Sequence, residues 1–193
     1  MKKFLCLLTI MVICIVSACS PYGIDNRQAH KEIVDSDKYY CIYKDDEGTV
    51  GFELYNMYGD VVLSEKTNRP IKVNMLNEDI VHIEVGMGTG IAIHKFFNVS
   101  KNQFSQEFTY VLANSDNLIE FIDIPKNNSM ENRKVVVQNV FDSSLYYKEF
   151  SLNFSNVDTP VVEANFTENE TSLQLTYLSG REKKQTTTIL DLT

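Results

Sequence analysis

Leu173-Gln174-Leu175-Thr176-Tyr177 decides the fold. Three large apolar side chains alternate with two polar ones, a period of two that gives a strand one buried and one wetter face. The same alternation runs through Phe150-Ser151-Leu152-Asn153-Phe154 and through Phe104-Ser105-Gln106-Glu107-Phe108-Thr109-Tyr110. Turn-forming residues separate such runs: Asp46-Glu47-Gly48, Tyr58-Gly59-Asp60, Asn127-Asn128-Ser129 and Ser179-Gly180. Only the polar stretch from Asn26 to Val34 would admit a helix. The chain therefore reads as all-β, built from antiparallel hairpins.

The hairpins fall into four units that start near Lys38, Asp79, Asn117 and Val157. Each opens with an apolar strand: Tyr39–Tyr43, Ile80–Val85, Leu118–Ile124 and Val161–Phe166. A second strand follows: Val50–Tyr55, Ile91–Phe97, Val135–Phe141 and Leu173–Leu178. A third closes the unit: Val61–Ser64, Phe104–Leu112, Tyr146–Phe154 and Thr186–Leu192. Three strands repeating at about 40 residues predict a propeller-like β-meander. A twisted β-sandwich made from the same hairpins is the alternative.

The last unit carries a resemblance. Pro160-Val161-Val162, then Asn165 to Glu170, then Leu173-Gln174-Leu175 resemble the opening strands of WD40-like and TolB-like propeller blades. Asn169-Glu170 stands where those families carry Asp-Gly at the turn. The chain has no Trp, so it lacks their Trp-Asp signature.

The first eighteen residues follow a different logic. Lys2 and Lys3 precede an apolar run from Phe4 to Val16, broken only by Thr9. The run is too short for a membrane-spanning helix, which needs roughly 20 apolar residues, and its order fits a secretory signal. Val16-Ser17-Ala18-Cys19 resembles the lipobox of bacterial lipoproteins. That resemblance implies cleavage before Cys19, lipid on its thiol and residence on the extracytoplasmic face of the cell membrane. More than one acyl chain makes such anchorage durable, because one chain alone binds only marginally. The expected organisation is a signal peptide over 1–18, the lipidated Cys19 and a flexible tether over 19–37, and a single all-β domain over 38–193. A flexible coil of the tether's length spans about 20–25 Å. The body is similar in style to lipoproteins of Gram-positive bacteria.

The formal net charge is −8, and loss of Lys2 and Lys3 with the leader makes it more acidic. Such a chain repels nucleic acid and anionic headgroups, so membrane attachment falls to the lipid on Cys19. Cys6 and Cys14 lie in the leader and Cys19 is committed to lipid. Cys41 is left without an internal disulfide partner, and a buried inert thiol is its expected state.

The chemistry-bearing motifs are thin. Gly86-Met87-Gly88-Thr89-Gly90 leads into Ile91-Ala92-Ile93, not into the Lys-Ser or Lys-Thr pair and helix of a phosphate loop. Asp45, Asp46 and Glu47 lack the spaced oxygen ligands of a calcium loop. No Gly-x-Ser-x-Gly elbow occurs. His82, Glu84 and His94 are the metal-ligand candidates, brought together if residues 86–90 turn a hairpin; cross-strand contacts are the simpler role. Tyr39, Tyr40, Tyr43, Tyr55 and Tyr58 crowd the first unit and are the candidates for a recognition surface, since Tyr is amphipathic and common at interfaces. Strand packing is the alternative use of a Tyr.

These features predict a non-enzymatic lipoprotein without a cofactor, held by lipid and binding a protein, peptide or glycan, or serving as an accessory subunit. A small cell-envelope hydrolase on a β scaffold is the alternative.

Overall fold

Four antiparallel sheets follow one another along the chain in the computed structural model, which describes residues 31–88, 90–124 and 133–193. The first sheet contains β1 (Glu32–Asp37), β2 (Tyr40–Lys44), β3 (Val50–Tyr55) and β4 (Val61–Thr67). The second contains β5 (Ile71–Met75), β6 (Ile80–Gly86), β7 (Ala92–Asn98), β8 (Gln103–Phe104) and β9 (Phe108–Thr109), with β8 and β9 both paired to β7. The third contains β10 (Val111–Asn114), β11 (Leu118–Asp123), β12 (Lys134–Asn139) and β13 (Tyr147–Ser151), and the fourth β14 (Val161–Phe166), β15 (Ser172–Ser179) and β16 (Lys184–Asp191). Apart from β9, each strand pairs with its sequence neighbours, so every sheet is a meander. The chain is all-β, as the alternation predicts, and Lys31–Thr193 form one unit.

The opening stretch shows how the pattern becomes packing. Leu173, Leu175 and Tyr177 on β15 are buried at 0%, 0% and 7% exposure. They join Leu118, Val135, Val137, Leu190 and Leu192 in a core shared by the third and fourth sheets. On the opposite face of β15, the Thr176 hydroxyl lies 3.0 Å from that of its cross-strand partner Thr187. A second core joins the first two sheets through Ile42, Phe52, Leu54, Val73, Val81 and Phe97. A third joins the second and third sheets through Ile80, Phe96, Phe108, Ile119 and Val140. The sheets thus pack in series, each burying a face against the next. Among the described residues no core cluster joins the fourth sheet to the first.

One backbone hydrogen bond recurs in every sheet and fixes which strands correspond. The amide of Tyr55 donates to the carbonyl of Tyr39, Val99 to Asp79, Val140 to Asn117 and Leu192 to Thr171, at 2.8–2.9 Å. In each case the end of the third strand is tied to the residue before the second. The expected units therefore start one strand late in the first three sheets, where β1, β5 and β10 precede the predicted opening strand. In the fourth sheet Val161–Phe166 is the true first strand, and β16 is the third.

Two expectations change for identifiable reasons. The sequence predicts a tether to residue 37, yet Glu32–Asp37 pairs with β2 across a bulge between Ile33 and Asp35. Its side chains are all exposed, so it has no buried face to produce an alternating pattern. The same pairing makes residues 32–34 strand, where a helix was admissible. Phe104–Leu112, expected as one strand, divides twice: residues 105–107 separate β8 from β9, and Tyr110, at φ 55°, separates β9 from β10 and turns the chain into the third sheet. The signal segment, Cys19, the tether before Lys31 and the Asn127-Asn128-Ser129 turn lie outside the described residues.

Candidate functional site

The hairpin expected between His82 and His94 forms, with Glu84 opposite His94 and His82 opposite Phe96. Ile80, His82 and Glu84 share the face of β6 that turns toward the third sheet, because Ile80 belongs to the core on that side. Nε2 of His82 lies 3.0 Å from Nδ1 of His94. The ring planes are 11° apart and the centroids 5.2 Å apart. Those values place the two nitrogens head-on in nearly a common plane, so the contact is a hydrogen bond along the ring axes and not a face-to-face stack. One nitrogen donates and the other accepts. A zinc ion would need both lone pairs to converge on it tetrahedrally, whereas here they oppose each other. Glu84 is held instead by Lys72, Nζ to Oε1 3.4 Å. No group of three or more His, Cys, Asp or Glu among the described residues converges as a metal site requires.

Burial dominates the electrostatics of this pair. It pushes the His82 imidazole down to about 4, with the neighbouring His94 adding to the effect, and it lowers His94 as well. His82 also stacks on Phe96, centroids 4.7 Å apart. The pair is thus neutral at physiological pH.

The five tyrosine candidates separate by the face they occupy. Tyr40 is buried in the core between the first two sheets, its hydroxyl donating to Asp35 at 3.2 Å. Tyr43 and Tyr55 lie on the opposite face. Tyr43 is 3% exposed, its ring lies against Gly51, and Lys31 Nζ sits 4.2 Å from the ring centroid. A Cβ added at Gly51 would stand 2.5 Å from that ring, so the glycine makes room for it. Tyr55 donates to Glu53 at 2.9 Å; burial and that carboxylate push its hydroxyl up to about 12. Glu53 also takes Lys31 at 2.5 Å and Ser64 at 3.4 Å, and the Lys31 contact holds its carboxyl below the usual range. Cys41 lies opposite Glu53 on this face, and burial raises its thiol above the ordinary value. A raised thiol is a poor nucleophile at neutral pH.

Tyr58 and one side of Tyr39 remain available at one end of the first sheet; the rest of Tyr39 packs against the core between the first two sheets. Tyr39 lines a depression of about 570 Å³ with Asp37, Lys38, Met75, Asn77, Glu78 and Asp79. Lys38 Nζ is 4.7 Å from the Tyr39 ring centroid. Tyr58 is 81% exposed on the turn after β3. That turn is held by the Asn56 side chain, which accepts from the amides of Tyr58 and Asp60 at 2.9 and 3.0 Å. The hydrogen bond from Tyr55 to Tyr39 ties the two segments to the same end.

Glu120 was not among the sequence candidates. It is fully buried on β11, opposite Ala113 and Val137, on the same face as Leu118 of the core between the third and fourth sheets. Neither carboxylate oxygen has a hydrogen-bond partner. Burial pushes its pKa up to about 8. The signal was present in Leu118-Ile119-Glu120-Phe121-Ile122, where alternation puts the lone Glu on a face with Leu118 and Ile122.

No protein-family model matches the sequence, and no curated protein matches it. Among solved structures the chain is similar to the crystal structure of the computationally designed Ika4 protein. The identity is 10%, the TM-score 0.40, and the match covers 89% of this chain and 96% of that one. A likeness at that level carries no inference about function.

Proposed function

We propose that this chain is a lipid-anchored extracytoplasmic lipoprotein whose β domain is a binding or accessory module with no catalytic activity of its own. Its recognition surface is the end of the first two sheets at which Tyr39 and Tyr58 stand, and its partner is a protein, peptide or glycan. The observation that carries this reading is the depression beside Tyr39, where an aromatic ring, Met75 and polar groups line one open concavity. Tyr58 adds a rigid amphipathic ring with a low ordering cost on binding. The anchor rests on Val16-Ser17-Ala18-Cys19 and the apolar run before it.

The test is crosslinking in native membranes, comparing the wild-type chain with a Tyr39→Ala/Tyr58→Ala variant. The reading predicts a discrete crosslinked species that the variant loses while remaining membrane-bound. Identical crosslinks in both proteins would remove this surface from the account.

A further inference from the structure

A second concavity lies beside β1 and β5, along the first strands of the first two sheets. It encloses about 490 Å³ over a floor of Val34, Ile42, Val50, Ile71 and Val73. Two features create it. The bulge in β1 between Ile33 and Asp35 displaces Val34 from the ladder. The first strands of these sheets also lack the close approach that β10 and β14 make between the third and fourth sheets.

The groove has polarity along its length. Lys44, at the end of β2, and Arg69, just before β5, line one end. Asp35 and Asn74 line it further along. The Arg69 guanidinium contacts the Met87 sulfur at 2.8 Å, and a thioether is a weak acceptor for a cation. Lys72 also lines the groove, but its ammonium lies 3.4 Å from Glu84, which leaves Lys44 and Arg69 as the cations that matter. Glu32 faces Lys44 across the β1–β2 ladder, which makes Arg69 the stronger anion-seeking group. Two cations at the mouth of an apolar trough are notable on a chain whose net charge is −8.

We propose that this groove binds a single-chain amphiphile with an anionic head group. The acyl chain lies along the floor and the head group meets Arg69 and Lys44. Apolar burial supplies the affinity, and a charge-assisted bond to the guanidinium fixes the direction of the chain. The site is separate from the Tyr39–Tyr58 end, so either can fail without the other.

The test uses the full chain and a photoreactive analogue of dodecanoate, with adduct positions read by peptide mass spectrometry. Position matters because an amphiphile can also partition onto other apolar surfaces of the chain. The expected result is adducts concentrated on peptides containing Val34, Ile42 and Ile71 to Val73. Excess dodecanoate or dodecyl phosphate should compete for them, and dodecyltrimethylammonium should not. A Lys44→Glu/Arg69→Glu variant should lose groove labelling by about tenfold, the scale of one lost charge-assisted hydrogen bond. If that variant does not fold, Lys44→Gln/Arg69→Gln removes the same charges without reversing them. Adducts without enrichment at the groove, equal competition by the cationic amphiphile, or unchanged labelling in a folded variant would each overturn the proposal.

Discussion

Substituting Glu120 by Gln should remove a pH dependence that wild-type stability carries. The carboxyl is fully buried with no partner for either oxygen, and its pKa stands at about 8 against 4.5 for an ordinary glutamate. The folded chain therefore holds a proton that the unfolded chain releases. For a group raised in the folded state, its contribution is fully present below the unfolded pKa and is lost as pH rises through the folded one. A difference of one between folded and unfolded pKa is worth about 1.4 kcal/mol. Between pH 5 and pH 9 the wild type should lose about 4 kcal/mol relative to Glu120→Gln, as an upper figure, since the buried acid can also be relieved by structural relaxation. That is a large part of a typical 5–15 kcal/mol domain stability. Glu120→Leu, which also removes the unpaired polar atoms, should be the most stable of the three at pH 7 and above. Urea unfolding at pH 5, 7 and 9 gives the comparison, and using the difference between proteins cancels other titrating groups. A wild-type-minus-Gln difference that stays constant across that range would show that Glu120 titrates alike folded and unfolded, and would refute the reasoning.

The His82–His94 pair should act with the opposite sign. Both folded pKas are lowered, His82 to about 4, so the contribution is present above about pH 6.5 and fades as pH falls toward 4, by about 3 kcal/mol for His82. NMR titration of the His82 ring should show a midpoint near 4; a midpoint at an ordinary histidine value would remove the buried neutral pair. Gly51→Ala should cost about 1–3 kcal/mol, because its Cβ would meet the Tyr43 ring at 2.5 Å, and most of that cost should disappear in a Tyr43→Ala background. Equal costs in both backgrounds would show that the ring is not the cause. Leu175→Ala, at a fully buried position between the third and fourth sheets, should cost about 2–5 kcal/mol in chemical denaturation. A loss below about 1 kcal/mol would mean that the packing there is loose.

Strands with several large buried side chains were readable from sequence, and the missed strands β1, β5 and β10 have one such side chain or none. Leu173, Leu175 and Tyr177 announce β15 because the alternation is driven by burial, and each occupies the core. Glu32–Asp37 has no buried side chain, so its place in the ladder depends on backbone pairing with β2, which side-chain periodicity does not report. Missing that strand and its counterparts β5 and β10 displaced the phase of the first three units. Tyr110 broke a strand that looked continuous, since its positive φ has no glycine or asparagine to mark it. The candidate sites show the same division. Alternation places His82 and Glu84 on one face, and the hairpin sets His94 opposite Glu84. Whether nitrogens converge on a point or face each other is a matter of ring orientation, which spacing does not determine. The tyrosines divide by strand parity, so a cluster in sequence becomes a core residue, a covered face and an exposed end.

Lipid on Cys19 is the claim on which location and attachment both depend. Growing cells with a palmitate analogue and comparing the wild-type chain with Cys19→Ala tests it in one measurement. Label is expected on the wild-type protein in the membrane fraction and none on the variant. Equal labelling of the two proteins, or an unlabelled wild type released from the membrane, would contradict it.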